Sequence, residues 1–215
     1  TEVLLVDDDE DFLEEASDLL THYGFNVVLA LSADQAEEKF FLNEDINIVV
    51  TDIAMPGRNG LELLSGLKNR FGETRVYDSI VITGHSGCNE AIQALQLGAV
   101  DFIAKKSSFV QLDIVKIGDE LVDKLRYWAK KRARFATGGL KPERSRIDPS
   151  TPVYQRKTEN QGVPGLIVLG ISTGGPATLP QTLKAMGKLK CPLVVAQHMP
   201  PMFTSGFARH LSTET

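Results

Sequence analysis

The sequence predicts an α/β fold built on a parallel sheet, and two observations predict it. Short apolar runs at residues 3–6, 46–51, 80–82 and 100–104 alternate with stretches of helical periodicity. Each run also stops at a polar residue: Asp7 and Asp8 after the first, Asp52 after the second, Thr83 after the third and Lys105 after the fourth. In a parallel sheet the carboxyl ends of the strands share one edge, and the loops leaving that edge form the ligand crevice. Five polar residues scattered over a hundred positions are thereby expected to meet in one pocket.

The elements follow in order. Behind the first strand, Asp9, Glu10 and Asp11 read as an acidic turn capping a helix, although the same carboxylates could join the pocket. That helix repeats Phe12, Ala16, Leu19, Leu20 and Tyr23 and ends at Gly24, where a left-handed cap is wanted. Ser32 and Gln35 have the spacing of a capping box and open a second helix. Leu61, Leu64 and Leu67 line a third, Ile92 and Leu95 a fourth. Leu121, Leu125 and Trp128 mark a long last helix running to about Phe135. Its basic end, Lys130-Lys131-Arg132-Ala133-Arg134, complements the negative end of the helix dipole. Nucleic-acid binding is the weaker reading, because no helix-turn-helix pattern follows.

From 136 to 165 the apolar periodicity stops, and Gly138-Gly139, Pro142, Pro149, Pro152, Gly162 and Pro164 interrupt a polar run, which is the composition of a linker. Residues 1–125 carry 9 basic and 24 acidic side chains, a formal −15, whereas residues 126–215 carry 14 and 4, a formal +10. The two halves are therefore expected to attract each other. Cys88 and Cys191 share no spacing with a histidine or with each other, so neither zinc nor a disulfide is implied. No apolar stretch is long enough to span a membrane and no basic region leads into a signal sequence, which predicts a soluble cytoplasmic protein without membrane insertion.

Carboxylates brought together repel one another, so Asp7, Asp8 and Asp52 are tolerable only with a cation among them. Hard oxygen donors favour Mg2+, which keeps waters and accepts phosphate oxygens. A carboxylate beside that ion can attack a phosphoryl group and form an acyl phosphate. Lys105 and Thr83 are placed to hold the incoming oxygens.

Residues 1 to about 125 resemble a two-component receiver domain, through Leu-Leu-Val-Asp-Asp-Asp, Thr-Asp-Ile-Ala-Met-Pro-Gly, Val-Ile-Thr-Gly and Gly-Ala-Val-Asp-Phe-Ile-Ala-Lys. The resemblance implies a flavodoxin-like, doubly wound, five-stranded parallel sheet. It makes Asp52 the phosphoacceptor, with a histidine kinase as phosphodonor. Asp7 and Asp8 would hold Mg2+ with Asp52 and the backbone carbonyl of Ala54. Thr83 would be the switch hydroxyl, Phe102 the switch aromatic and Lys105 the phosphate-sensing amine; a receiver–receiver dimer is compatible with this reading. The family usually places proline after the lysine, where this chain has Lys106.

A second chemistry begins after the linker. The run 166–169 leads into Gly170-Ile171-Ser172-Thr173-Gly174-Gly175, a serine at a strand-to-helix turn among small neighbours. Alone such a turn is more often a capped loop or a phosphate cradle. The next run, 192–197, delivers His198 at its end, and adjacent parallel strands would set that imidazole near Ser172. His22, His85 and His210 read instead as histidines satisfied by local hydrogen bonds.

Residues 164–211 are similar to the start of the chemotaxis protein-glutamate methylesterase (CheB) catalytic domain, in the Gly-x-Ser-Thr-Gly-Gly turn, the Gln-His-Met-Pro-Pro stretch and their spacing. A receiver (1–125), a linker (136–165) and an esterase unit (166–215) is that family's order. The resemblance implies Ser172 as nucleophile, His198 as general base and Thr173 beside the serine. It implies methylated chemoreceptors as substrate, methanol as product, and protein-glutamine deamidation as a related activity. A serine hydrolase needs a third group to orient the imidazole, and after His198 the single acid is Glu214. The chain is thus expected to be a fragment of a longer esterase, inactive by itself for want of the aspartate.

Overall fold

The computed structural model describes residues 1–72, 74–84, 88–105, 110–136 and 165–214. The expectations for Lys106, His85 and most of the 136–165 linker fall outside these residues. The first unit alternates β1 (Glu2–Val6), α1 (Glu10–His22), β2 (Asn26–Ala30), α2 (Ala33–Leu42), β3 (Ile46–Asp52), α3 (Gly60–Phe71), β4 (Asp78–Thr83), α4 (Cys88–Leu97), β5 (Asp101–Ala104) and α5 (Val110–Ala136). The strands form one parallel sheet in the order β2-β1-β3-β4-β5. From residue 165 onward come β6 (Ile167–Ile171), α6 (Gly175–Met186), β7 (Leu193–Gln197) and α7 (Pro201–Glu214), with β6 and β7 paired in parallel.

The period of two along each strand explains the double winding. Val3 and Leu5 face a core with Phe12, Ala16 and Leu20 of α1 and Leu121, Leu125 and Trp128 of α5. Their neighbours Leu4 and Val6 face the other way, onto Ala36 and Phe40 of α2 and Leu63 and Leu67 of α3. Strand β2, Asn26-Val-Val-Leu-Ala30, is apolar after its first residue but mostly only half-buried, which is the pattern of a sheet edge. Local signals set the boundaries. Asp9 caps α1 by accepting the Phe12 amide at 3.0 Å, Ser32 accepts from Gln35 N at 3.3 Å, and Gly24 has φ 84°. Asn59 and Glu62 form a reciprocal capping box on α3.

The other edge strand, β5, is covered by the second unit. Ala177 of α6 reaches the α1/α5 core, while Phe203 of α7 enters a cluster with Ile53, Leu64, Val81, Ala91 and Phe102. Apolar packing therefore joins the halves, and the charge split needs correction. Five of the positive charges after residue 125, Arg126, Lys130, Lys131, Arg132 and Arg134, lie on α5 of the first unit. There Arg132 pairs with Asp78 at 2.9 Å and Lys131 lies over the Trp128 ring. The basic run is thus partly held against its own domain.

Candidate functional site

The carboxyl edge of the sheet gathers what the strand ends promised. Asp7, Asp8 and Asp52 place carboxylate oxygens within 4.8 Å of one another. Asp7 and Asp52 are buried and Asp8 is exposed. Lys105, leaving β5, reaches between the two buried acids, with Nζ 3.1 Å from Asp7 Oδ2 and 3.2 Å from Asp52 Oδ2. Its own amide donates to the Thr83 carbonyl at 2.8 Å, which locks the end of β5 to the end of β4. Thr83 is itself buried beside them. Ala54 lies two residues beyond Asp52 in the exposed β3–α3 loop.

The electrostatics follow from burial. Desolvation dominates at Asp7 and, helped by the Asp52 charge and opposed by Lys105, pushes its carboxyl up to about 6. Lys105 experiences the opposite balance: burial lowers its pKa, but Asp52 and Asp7 together overcome that and hold it above the ordinary lysine value. One ammonium thus faces two buried carboxylates and a third at the rim, leaving net negative charge in a recess of hard oxygen donors. That donor set fits a divalent cation of the Mg2+ class, with Asp7, Asp8 and Asp52 as its side-chain ligands. Asp52 Oδ1 also accepts the Ile53 amide at 2.8 Å, which fixes the rotamer. The backbone beneath it is tightly fitted, since a Cβ on Gly60 would strike the Asp52 carbonyl.

Phe102 does not border this recess as a free ring. It is buried against Phe203, with centroids 4.8 Å apart.

At the second sheet, the pairing of Ile171 with Gln197 brings the following residues together. Ser172 Oγ lies 3.5 Å from His198 Nδ1, and both residues are exposed. That separation is long for a hydrogen bond but allows proton transfer once a substrate draws the pair together. With Nδ1 toward the serine, Nε2 is the nitrogen left for an orienting group. Thr173 is half-buried and lines the same cavity, of about 720 Å3, together with Asp119, Glu120, Asp123 and Lys124 of α5. Gln197 braces the turn, its Nε2 donating to the carbonyls of Ser172 and His198 at 3.0 Å each. A Cβ on Gly175 would meet the Gln197 amide and the Ile171 side chain, which would have to shift to admit it. Among the described residues no carboxylate bonds to the His198 ring. The buried Nδ1 of His210 has no hydrogen-bond partner among the described residues.

The sequence reading missed Asp101, Lys124, Tyr127 and Phe203. Asp101 carried a signal: a charged residue opening an apolar strand, which is buried in the fold and ion-paired to Lys124 Nζ at 2.5 Å. The other three become visible only when α5, α6 and α7 meet.

The response regulator receiver domain family matches residues 3–115, and the CheB methylesterase family matches residues 167–215. The chain is 33% identical over 226 residues to a protein-glutamate methylesterase/protein-glutamine glutaminase 3 of Rhodospirillum rubrum, an alignment covering 99% of this chain and 59% of that protein. A protein-glutamate methylesterase/protein-glutamine glutaminase of Geobacillus kaustophilus is 33% identical over 214 residues, covering 97% and 58%. The chain therefore spans less than two thirds of the length of these relatives. The structure of a Francisella response regulator receiver domain superposes with a TM-score of 0.51 at 22% identity, covering 61% of this chain and 98% of that one, which concerns the fold alone.

Proposed function

We propose, from the premise that this chain belongs to the response regulator receiver family, that it takes a phosphoryl group on Asp52 and thereby controls a serine esterase acting on protein-glutamate methyl esters. The observation that carries the first half is Lys105 held between Asp7 and Asp52, with Asp8 at the rim. In this reading an Asp52 oxygen attacks phosphorus as the bond to the donor's imidazole breaks. The imidazole leaves with the electron pair and takes up a proton. A Mg2+ ion held by Asp7, Asp8, Asp52 and the Ala54 carbonyl would supply neutralisation of the phosphoryl charge. Lys105 binds a phosphoryl oxygen, leaving part of its pairing with Asp7, and Thr83 meets another. The donor is a histidine kinase, and the setting is chemotaxis in the cytoplasm.

For the second half, His198 takes the Ser172 proton as Oγ attacks the ester carbonyl, with Thr173 beside the serine. Methanol leaves with that proton, and water then releases the glutamate carboxylate. The substrates are methylated chemoreceptors, and an amide in the same cleft would give glutaminase chemistry. The domains are the receiver at 1–125, a linker at 136–165 and the esterase unit from 166. The uncovered face of β6 and β7, with Val168 and Val194 exposed, and the absence of a carboxylate on His198 among the described residues favour a second reading for these 215 residues alone. In it they act as a phosphoryl-responsive module without catalysis.

The test is methanol release from methylated receptors by the protein made from its complete reading frame, with and without a small phosphodonor. A rate that rises with the donor supports control by the receiver, and equal rates remove it. Methanol release by the 215-residue chain itself would overturn the second reading.

A further inference from the structure

We infer that Asp101 is a positioning residue that caps helix α6 from the other domain and so holds the Ser172 turn against the receiver. The inference rests on the reading of Ser172 as the esterase nucleophile. Helix α6 cannot cap its own start. Its N-cap is Gly174, with φ 79° and no side chain, and Pro176 in the first turn has no N–H. The Gly175 amide turns back to the Ser172 carbonyl at 3.0 Å. The Gly174 amide finds its acceptor 73 residues upstream, in a buried 3.0 Å hydrogen bond to Asp101 Oδ2.

The contacts around that bond hold the carboxylate in place. Asp101 is 1% exposed, and such a group is tolerated only when paired and hydrogen-bonded. Its Oδ1 accepts from Lys124 Nζ at 2.5 Å and from the Phe102 amide at 2.9 Å. An anion at the start of a helix is further favoured by the helix dipole. Tyr127 closes the side, since a Cβ on Gly174 would come within 2.9 Å of its ring. One carboxylate therefore ties β5, α5 and α6 together two residues from Ser172.

The same strand carries both sites. Asp101 opens β5, Phe102 stacks on Phe203, and Lys105, roughly 13 Å further along at ~3.3 Å per residue, enters the acidic recess. A movement of Lys105 toward a phosphoryl group pulls on the strand that caps α6. Loss of the cap frees the Gly174 amide and the turn it follows.

The experiment is amide hydrogen exchange at Gly174 by NMR in the 215-residue chain, comparing wild type, Asp101→Asn, Asp101→Ala and the double variant Asp101→Ala/Lys124→Met, which leaves no unpaired lysine. A hydrogen bond to a charged group is worth enough to slow exchange at least about tenfold. Gly174 is expected to exchange at least tenfold faster in both alanine variants, with sheet amides β1–β4 unchanged. Asp101→Asn, which keeps an acceptor oxygen, should restore part of the protection. Unchanged Gly174 exchange overturns the inference, as does a loss shared equally by the whole receiver sheet in the double variant. In the complete protein the double variant should release methanol faster without phosphodonor and gain less from it. An unchanged basal rate despite a released Gly174 overturns the positioning role. A wild type indifferent to phosphodonor would instead remove the proposed function and leave the Gly174 result standing.

Discussion

Replacing Phe203 by alanine isolates what holds the two units together. The ring is 1% exposed, packed on Phe102 and among Ile53, Leu64, Val81 and Ala91, all of the first unit. An aromatic side chain buries roughly 150–250 Å2, which at ~25 cal/mol per Å2 gives about 4–6 kcal/mol before subtracting what alanine still buries. Phenylalanine-to-alanine truncations in well-packed sites cost about 3–5 kcal/mol, in agreement. The sheet of the first unit has two further clusters of its own, so the loss falls on docking. Hydrogen exchange followed by mass spectrometry should show protection of α7 and the first turn of α6 falling at least about a hundredfold, since ~1.4 kcal/mol is a factor of ten. Strands β1, β3 and β4 should keep theirs. Unaltered α7 exchange, or a loss confined to the receiver sheet, would refute the view that Phe203 is the apolar anchor.

Two more predictions concern the acidic recess. In EDTA, Asp7→Asn should be more stable than wild type at pH 7.5, because burial raises the Asp7 pKa from 3.8 to about 6 and its charge is a burden above that value. A raised carboxyl pKa means the folded state gains protons first, so the wild type recovers as pH falls from above 6 toward 4. The urea-derived difference should shrink by up to about 3 kcal/mol across that window, at ~1.36 kcal/mol per pKa unit; an Asp7→Asn chain less stable at pH 7.5 contradicts it. Gly60→Ala should lower thermal stability and weaken divalent-cation binding together, since the new Cβ meets the Asp52 carbonyl. Calorimetry and a Mg2+ titration check both, and a variant with wild-type values would show that the loop under Asp52 yields freely.

Most of the first unit was legible because its strands are buried on both faces and read as continuous apolar runs. Strand β2 at the edge is only half-buried, and its apolar run, residues 27–31, ends at the α2 cap Ser32 rather than at a residue of the pocket, so it followed only from the resemblance. The acidic recess was legible for a related reason, as each of its side chains ends a strand or follows the end of one. Ser172 and His198 were legible from one shared register, Ile171 beside Gln197. Tyr127 and Phe203 were not, because their partners lie far away in the chain and nothing local distinguishes them, and Asp101 gave only the hint of a charge opening an apolar strand. The charge split misled for a physical reason: half of the net positive charge after residue 125 rides on α5, which belongs to the acidic domain.

The most direct measurement is the site of phosphoryl labelling. The chain is incubated with Mg2+ and a small phosphodonor, the acyl phosphate is trapped by reduction, and the modified peptide is sequenced. The account predicts label on Asp52 alone, abolished by EDTA and by Asp52→Asn, and diminished in Lys105→Met, where the ammonium 3.2 Å from Asp52 is gone. Label that persists in Asp52→Asn, or that forms equally well without a divalent cation, would contradict it.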